Sequence, residues 1–298
     1  MTEPQTPPDR PERGARLTPY ELVFTEGEFE SRIFPRIGEE AAEQKVDTLQ
    51  PELFDFLTTA ADVVRQVTPE DAPPEALDQY RSLLYHAYNF WKSGKRLYVV
   101  EPATARYLVE AAPALSDWSF TMSSDAAYLQ LPANLFWSSV SPDTPPEPVD
   151  GFFVTVSEGS DALEKSFESL EILVILGIRR SRAGFSVIPV STGLGDEVAE
   201  AWDAEERPEG DFANALPGGE IAGLYSMLTT SEVLKLVGRI LWYVDSFPAA
   251  LVDVAAVEPR DEEDEAPLSH LAHRRVTLQH DEQPDDSGHV ADEGSEGS

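Results

Sequence analysis

Apolar positions first fall into a helical period after Pro51, where Leu53, Leu57, Ala60, Val64 and Val67 recur at steps of three and four. That spacing lines one face of an α-helix, and proline at the first helical position gives up no needed hydrogen bond. One helix is therefore predicted from Pro51 to about Val67. A second is predicted from Pro74 to Ser93, antiparallel to the first, with Leu77, Tyr80, Leu84, Ala87 and Trp91 inward and Gly94 ending it. Upstream, Leu22, Val23, Phe24, Phe29, Ile33, Phe34 and Ile37 keep no clean period and read as a wrapping segment with one short helix. Downstream, Leu97 to Val100 reads as a short strand, and Pro102 opens a helix carrying Ala105, Leu108, Val109 and Ala112 inward.

From Ala126 to Val190 the pattern changes to strands. Ala127 to Leu131, Leu135 to Val140, Gly151 to Val156, Leu170 to Ile178 and Phe185 to Val190 are β-rich and punctuated by Pro or Gly. The last two are joined by a loop too short for a parallel crossover, so they form an antiparallel hairpin. Both are apolar on both faces, which predicts a central position beneath helices. Gly193 to Gly219 is an acidic, loop-rich stretch anchored only by Trp202 and Phe212. Thr229 and Glu232 have capping-box spacing ahead of Val233, Leu234, Val237, Ile240, Leu241 and Val244, which predicts a helix. After Pro248 a further short helix is expected through Val257.

The fold class expected is α+β, with α/β-type layers: a central, mostly antiparallel sheet over about 127–190, flanked by helices. Residues 18–257 are expected to form a single globular domain. Residues 1–17, with prolines at 4, 7, 8 and 11 among charges, are expected to be a disordered leader, and 258–298 a disordered acidic tail. Within that tail Leu268, Leu271, Val276 and Leu278 form an apolar island around Arg274 and Arg275, the kind of segment that folds on a partner.

Charge changes the picture of partners. The net charge is −33, and the tail's share is −10, so acidity is spread over the whole chain. Long-range repulsion then disfavours direct binding to nucleic acid or anionic lipid and favours a basic protein partner or simple solubility. Glu-rich, Lys-poor composition is also what adaptation to high salt produces. The chain has no cysteine, which removes disulfides, thiol nucleophiles and cysteine metal sites and fits a cytoplasmic location. No apolar signal segment opens the chain, and its longest apolar run falls short of the roughly 20 residues that cross a bilayer.

Candidate chemistry gathers at residues 85–96. Tyr85, Asn89, Lys92, Lys95 and Arg96 are candidate binding residues, the cations forming an anion site near a helix end, and His86 is the candidate acid–base group. The alternative for His86 is a packed or surface histidine, and for the cations a simple complement to the helix dipole. Arg179, Arg180 and Arg182, at a hairpin tip, form a second candidate for binding a carboxylate or phosphate. Ser93-Gly94-Lys95 lacks the strand and spacing of a phosphate loop, and Gly193-Leu194-Gly195 lacks the third glycine of a dinucleotide fingerprint. With His86 the only histidine outside the tail, no histidine-based zinc site is expected, and no metal or cofactor is assigned.

Three readings follow. The preferred one is a non-enzymatic binding or accessory protein that recognises another protein through its aromatic helix 74–93, neighbouring strands and acidic surfaces. The second is a carboxylate-based enzyme with His86 in a cleft between helix and sheet, and the third an acidic mimic of nucleic acid. Whether the chain is an enzyme, and its oligomeric state, are left open by the sequence.

Overall fold

A computed structural model describes residues 14–24, 27–70, 75–110, 122–141, 143–160, 166–179, 184–194, 228–256 and 268–279. The chain opens with α1 (Pro19–Val23), a π-helical turn (Phe29–Ile33), α2 (Phe34–Gln44), α3 (Pro51–Phe54), α4 (Thr58–Val67) and α5 (Glu75–Lys92). Strand β1 (Leu97–Val100), α6 (Pro102–Glu110), β2 (Ala126–Gln130) and β3 (Trp137–Ser138) follow. Next come the long strands β4 (Glu147–Ser160), β5 (Ser166–Arg179) and β6 (Gly184–Gly193). Helix α7 (Thr230–Ser246), a 3₁₀ turn (Pro248–Ala250), β7 (Leu251–Val254) and β8 (His273–Val276) complete the described chain.

The class is α+β. The eight strands form one mixed sheet in the order β6-β5-β4-β2-β1-β8-β7, with β3 pairing β4. Every pairing is antiparallel except the two that β1 makes, with β2 and with β8. The sheet separates two apolar layers. Leu173 and Ile175 of β5 and Phe153 of β4 pack with α1, α2, α4 and α5, and Ile172, Val174, Phe152 and Val154 pack with α6 and α7. Two-residue alternation along a strand covered on both faces produces this division. Strands β2 and β4 approach so closely that a Cβ on Gly151 would lie 2.3 Å from the Leu129 carbonyl oxygen, which accounts for glycine there.

Four expectations are corrected. The helix expected from Pro51 to Val67 is interrupted, because Leu57 adopts an extended ψ of 118° and α4 restarts at Thr58. The Glu40 carboxylate accepts from the Thr58 and Thr59 amides at 2.7 and 2.9 Å, capping that restart from α2. β5 is central, as its two-sided apolar pattern implies, but β6 is the last strand on its side among the described residues, a position that tolerates Pro189. Among the described residues, Pro248 opens only a single 3₁₀ turn, and Leu251–Val254 is strand β7.

The fourth correction concerns both ends of the chain. Residues 273–276, expected in the disordered tail, form β8 between β1 and β7, where Val276 is fully buried. The apolar island around Arg274 and Arg275 folds onto this chain's own sheet. Residues 14–17, expected in the leader, are ordered beside it: Ala15 is buried, Arg16 bridges Leu268, and the Ser269 amide donates to the Ala15 carbonyl at 2.8 Å. The Glu21 carboxylate joins the two segments, accepting from Thr18, from the Ser269 hydroxyl at 2.9 Å and from the His270 amide at 3.0 Å.

Candidate functional site

Helix α5 is buried on every side from Leu83 to Phe90, because it lies between the sheet and the N-terminal helices. Its aromatic side chains are therefore core. Tyr88 packs against Phe34, Phe54 and Trp91, and Phe90 against Tyr20 and Phe153. No recognition surface is left on the part of the helix where one was expected.

His86 faces the sheet, 4% exposed, with Nδ1 3.0 Å from the Thr155 hydroxyl and its ring stacked on Phe153. Burial pushes its pKa down to about 3. The imidazole is neutral at physiological pH and, of the packed or surface alternative, its surroundings are those of a packed histidine.

Tyr85, Asn89 and Lys92 all reach the segment that precedes α3. The Tyr85 hydroxyl donates to the Leu49 carbonyl at 2.6 Å, and burial pushes its phenol pKa up. Asn89 donates from Nδ2 to the Thr48 carbonyl at 2.9 Å, and Lys92 donates to the Thr48 hydroxyl at 2.9 Å. These three tie α5 to the 48–49 segment.

Lys95 and Arg96 lie elsewhere. The chain leaves α5 through Gly94 (φ +82°) and Lys95 (φ +56°), with the Lys95 amide donating to the Phe90 carbonyl at 2.8 Å. Lys95 extends to the Glu30 carboxylate, with both oxygens 2.9 Å from Nζ. Burial would raise the Glu30 carboxyl, but hydrogen bonds from Tyr20 and Lys95 outweigh it and hold the group below its ordinary range. Arg96 makes no side-chain hydrogen bond or ion pair among the described residues, and its backbone carbonyl accepts from Tyr128 at 2.8 Å.

This turn forms one wall of a cleft of about 520 Å³. The other wall is the end of β7 (Asp253, Val254), Ala255 and the start of β8 with Ala272, His273 and Arg274. Register brings them together: Leu97 sits opposite His273, which in turn sits opposite Val254. Arg274 donates from Nε to Asp253 Oδ1 at 2.9 Å. Of the cations lining the cleft, Lys95 and Arg274 thus hold a carboxylate already, and Arg96 holds none among the described residues.

His273 and Arg274 were missed as site residues because the sequence places them in the tail. The apolar spacing from Leu271 to Val276 carried the signal that this segment folds. Of the second arginine cluster, Arg180 and Arg182 lie outside the described residues, and Arg179 ends β5 opposite Gly184, as the expected hairpin requires. Of the acidic stretch from Gly193 to Gly219, residues 195–219, with Trp202 and Phe212, also lie outside them. No described helix is long and apolar enough to cross a membrane.

No protein-family model matches the sequence. No curated protein matches it either. Among solved structures, the crystal structure of AcrVA2 is similar to this chain at a TM-score of 0.44 and 10% sequence identity. The match covers 87% of this chain and 82% of that one.

Proposed function

We propose that the chain is a binding protein that recognises another protein at the cleft between the α5–β1 turn and the β7–β8 pair. The observation that carries this reading is the character of the cleft: it gathers Lys95, Arg96 and Arg274 in a concave surface of a chain whose net charge is −33. An arginine with no carboxylate partner among the described residues is a strong donor for a ligand group. The reading departs from recognition by the aromatic helix, since those rings are spent on the core. It also gives His86 a structural role, packed and hydrogen-bonded between helix and sheet.

The test is site-specific photo-crosslinking in the native producer. A photoreactive residue at Ala272, exposed at the cleft, is expected to trap a protein that the same residue at Asp62, exposed on α4, does not. Adding Arg96→Glu is expected to abolish the trapped band. Equal trapping at both positions, or none at Ala272, overturns the reading.

A further inference from the structure

The cleft lies at the end of β7, a strand with one side unpaired among the described residues. β7 pairs with β8 on one side, and no described strand pairs with its other side. The Ala250 carbonyl accepts from the Thr277 amide on the β8 side at 3.0 Å. Peptide groups alternate in direction along an antiparallel strand, so those of Leu251 and Asp253 turn outward. Such an edge is a template for an added strand, and the strand added this way gains affinity from the main chain and specificity from its side chains.

Val254 and Ala255 end this edge in the cleft that Arg96 lines from the opposite wall. We infer that the partner presents an extended segment that pairs with β7 and seats an Asp or Glu side chain on the Arg96 guanidinium. This rests on the cleft being the docking surface. The main-chain contribution is small, because β7 has four residues and only two of them turn outward. Selectivity then falls to the charged contact, for which a guanidinium offers two parallel donors to one carboxylate. The chain's overall acidity does not forbid this. Exposed charges farther than about 8 Å are largely screened at physiological ionic strength. Among the described residues, Glu30 and Asp253 are the carboxylates that reach the cleft's other cations, and they are already paired with Lys95 and Arg274.

The experiment compares two fluorescein-labelled, end-capped peptides, Glu-Val-Thr-Val-Glu and Gln-Val-Thr-Val-Gln, by anisotropy against the full chain and its Arg96→Gln variant. Glutamate at both ends allows either strand direction. The Glu peptide is expected to bind at least tenfold more tightly than the Gln peptide, and R96Q to erase that difference while leaving the melting temperature unchanged. Inorganic phosphate is expected to compete only weakly, since it cannot pair with β7. Equal affinities, no binding of either peptide up to millimolar concentration, or a difference that survives R96Q each overturns the inference. So does phosphate binding that depends on Arg96 without any peptide binding. If the Ala272 crosslink forms while the peptides fail, the docking surface stands and this partner chemistry falls; if the crosslink fails, the surface itself falls.

Discussion

Arg16 holds Asp150 across 134 residues of sequence, with Nε and Nη2 at 3.0 and 2.7 Å from the same carboxylate oxygen. The other oxygen accepts the Tyr128 hydroxyl at 2.7 Å, and the Gln130 side chain closes bonds of 2.8 and 3.0 Å to the Arg16 backbone. Burial and the adjacent Asp150 charge push the Tyr128 phenol up, so it stays a donor. A segment that reads as leader thereby fastens β2 to β4.

Removing this cation leaves a carboxylate that is only 10% exposed without its partner. Arg16→Ala is expected to destabilise the fold by roughly 3 kcal/mol, because an unpaired buried charge costs more than the pair contributes. Adding Asp150→Asn should recover part of that loss, since the stranded charge is gone. Urea unfolding of the two single variants and the double variant checks this; additive losses would contradict the coupling.

The β8 segment supports a second prediction. Ending the chain at Ala256 deletes β8, strips β1 of one neighbour and β7 of its only described one, and removes the Ser269 and His270 donors to Glu21. Cooperative thermal unfolding is expected to be lost. Ending it at Gln279 keeps every described strand and is expected to preserve a single transition, as calorimetry would show.

How much of this could be seen in the sequence depends on where the deciding contact lies. Helices α5 and α7 and strand β5 are legible because their apolar periods are local. The break at Leu57 is not, since the carboxylate that caps α4 comes from Glu40, eighteen residues earlier. β8 was hidden by composition: four residues, two of them arginines, lie in a segment dominated by acidic side chains. Their burial depends on a slot between β1 and β7 that exists only after the sheet forms. For the same reason Lys95 and Arg96 were identified as an anion site, but the opposite wall with Arg274 was not.

The Glu40 cap supports a third prediction. Burial would raise this carboxyl, but donors from the Thr59 and Thr58 side chains and amides outweigh it and hold it below its ordinary range. Glu40→Gln keeps the size but weakens acceptance from the two amides, and Glu40→Ala removes it. The alanine variant is expected to lose about 1 kcal/mol, typical of a helix N-cap. A folded-state pKa below the unfolded value means that the stabilisation is present above the unfolded pKa and fades as pH falls through the folded one. The difference between wild type and E40A, measured by denaturation, should therefore shrink on acidification through the carboxylate range.

His86 supplies the clearest pH signature. Its folded-state pKa of about 3 lies below the ordinary 6.5, so the unfolded chain binds the proton that the folded chain refuses. Above about pH 6.5 both states are neutral and the group has no effect on pH dependence. As pH falls below 6.5, stability is lost at up to about 1.4 kcal/mol per pH unit until the folded-state value is reached. His86→Phe removes the titration while keeping an aromatic ring near Phe153. It loses the hydrogen bond to Thr155, so its stability at pH 8 is expected to be lower than wild type. Between pH 7 and 5, above most carboxylate titration, its unfolding free energy should fall less steeply than that of wild type, so the two curves converge. Parallel curves over that interval would mean that His86 takes up its proton in the folded state.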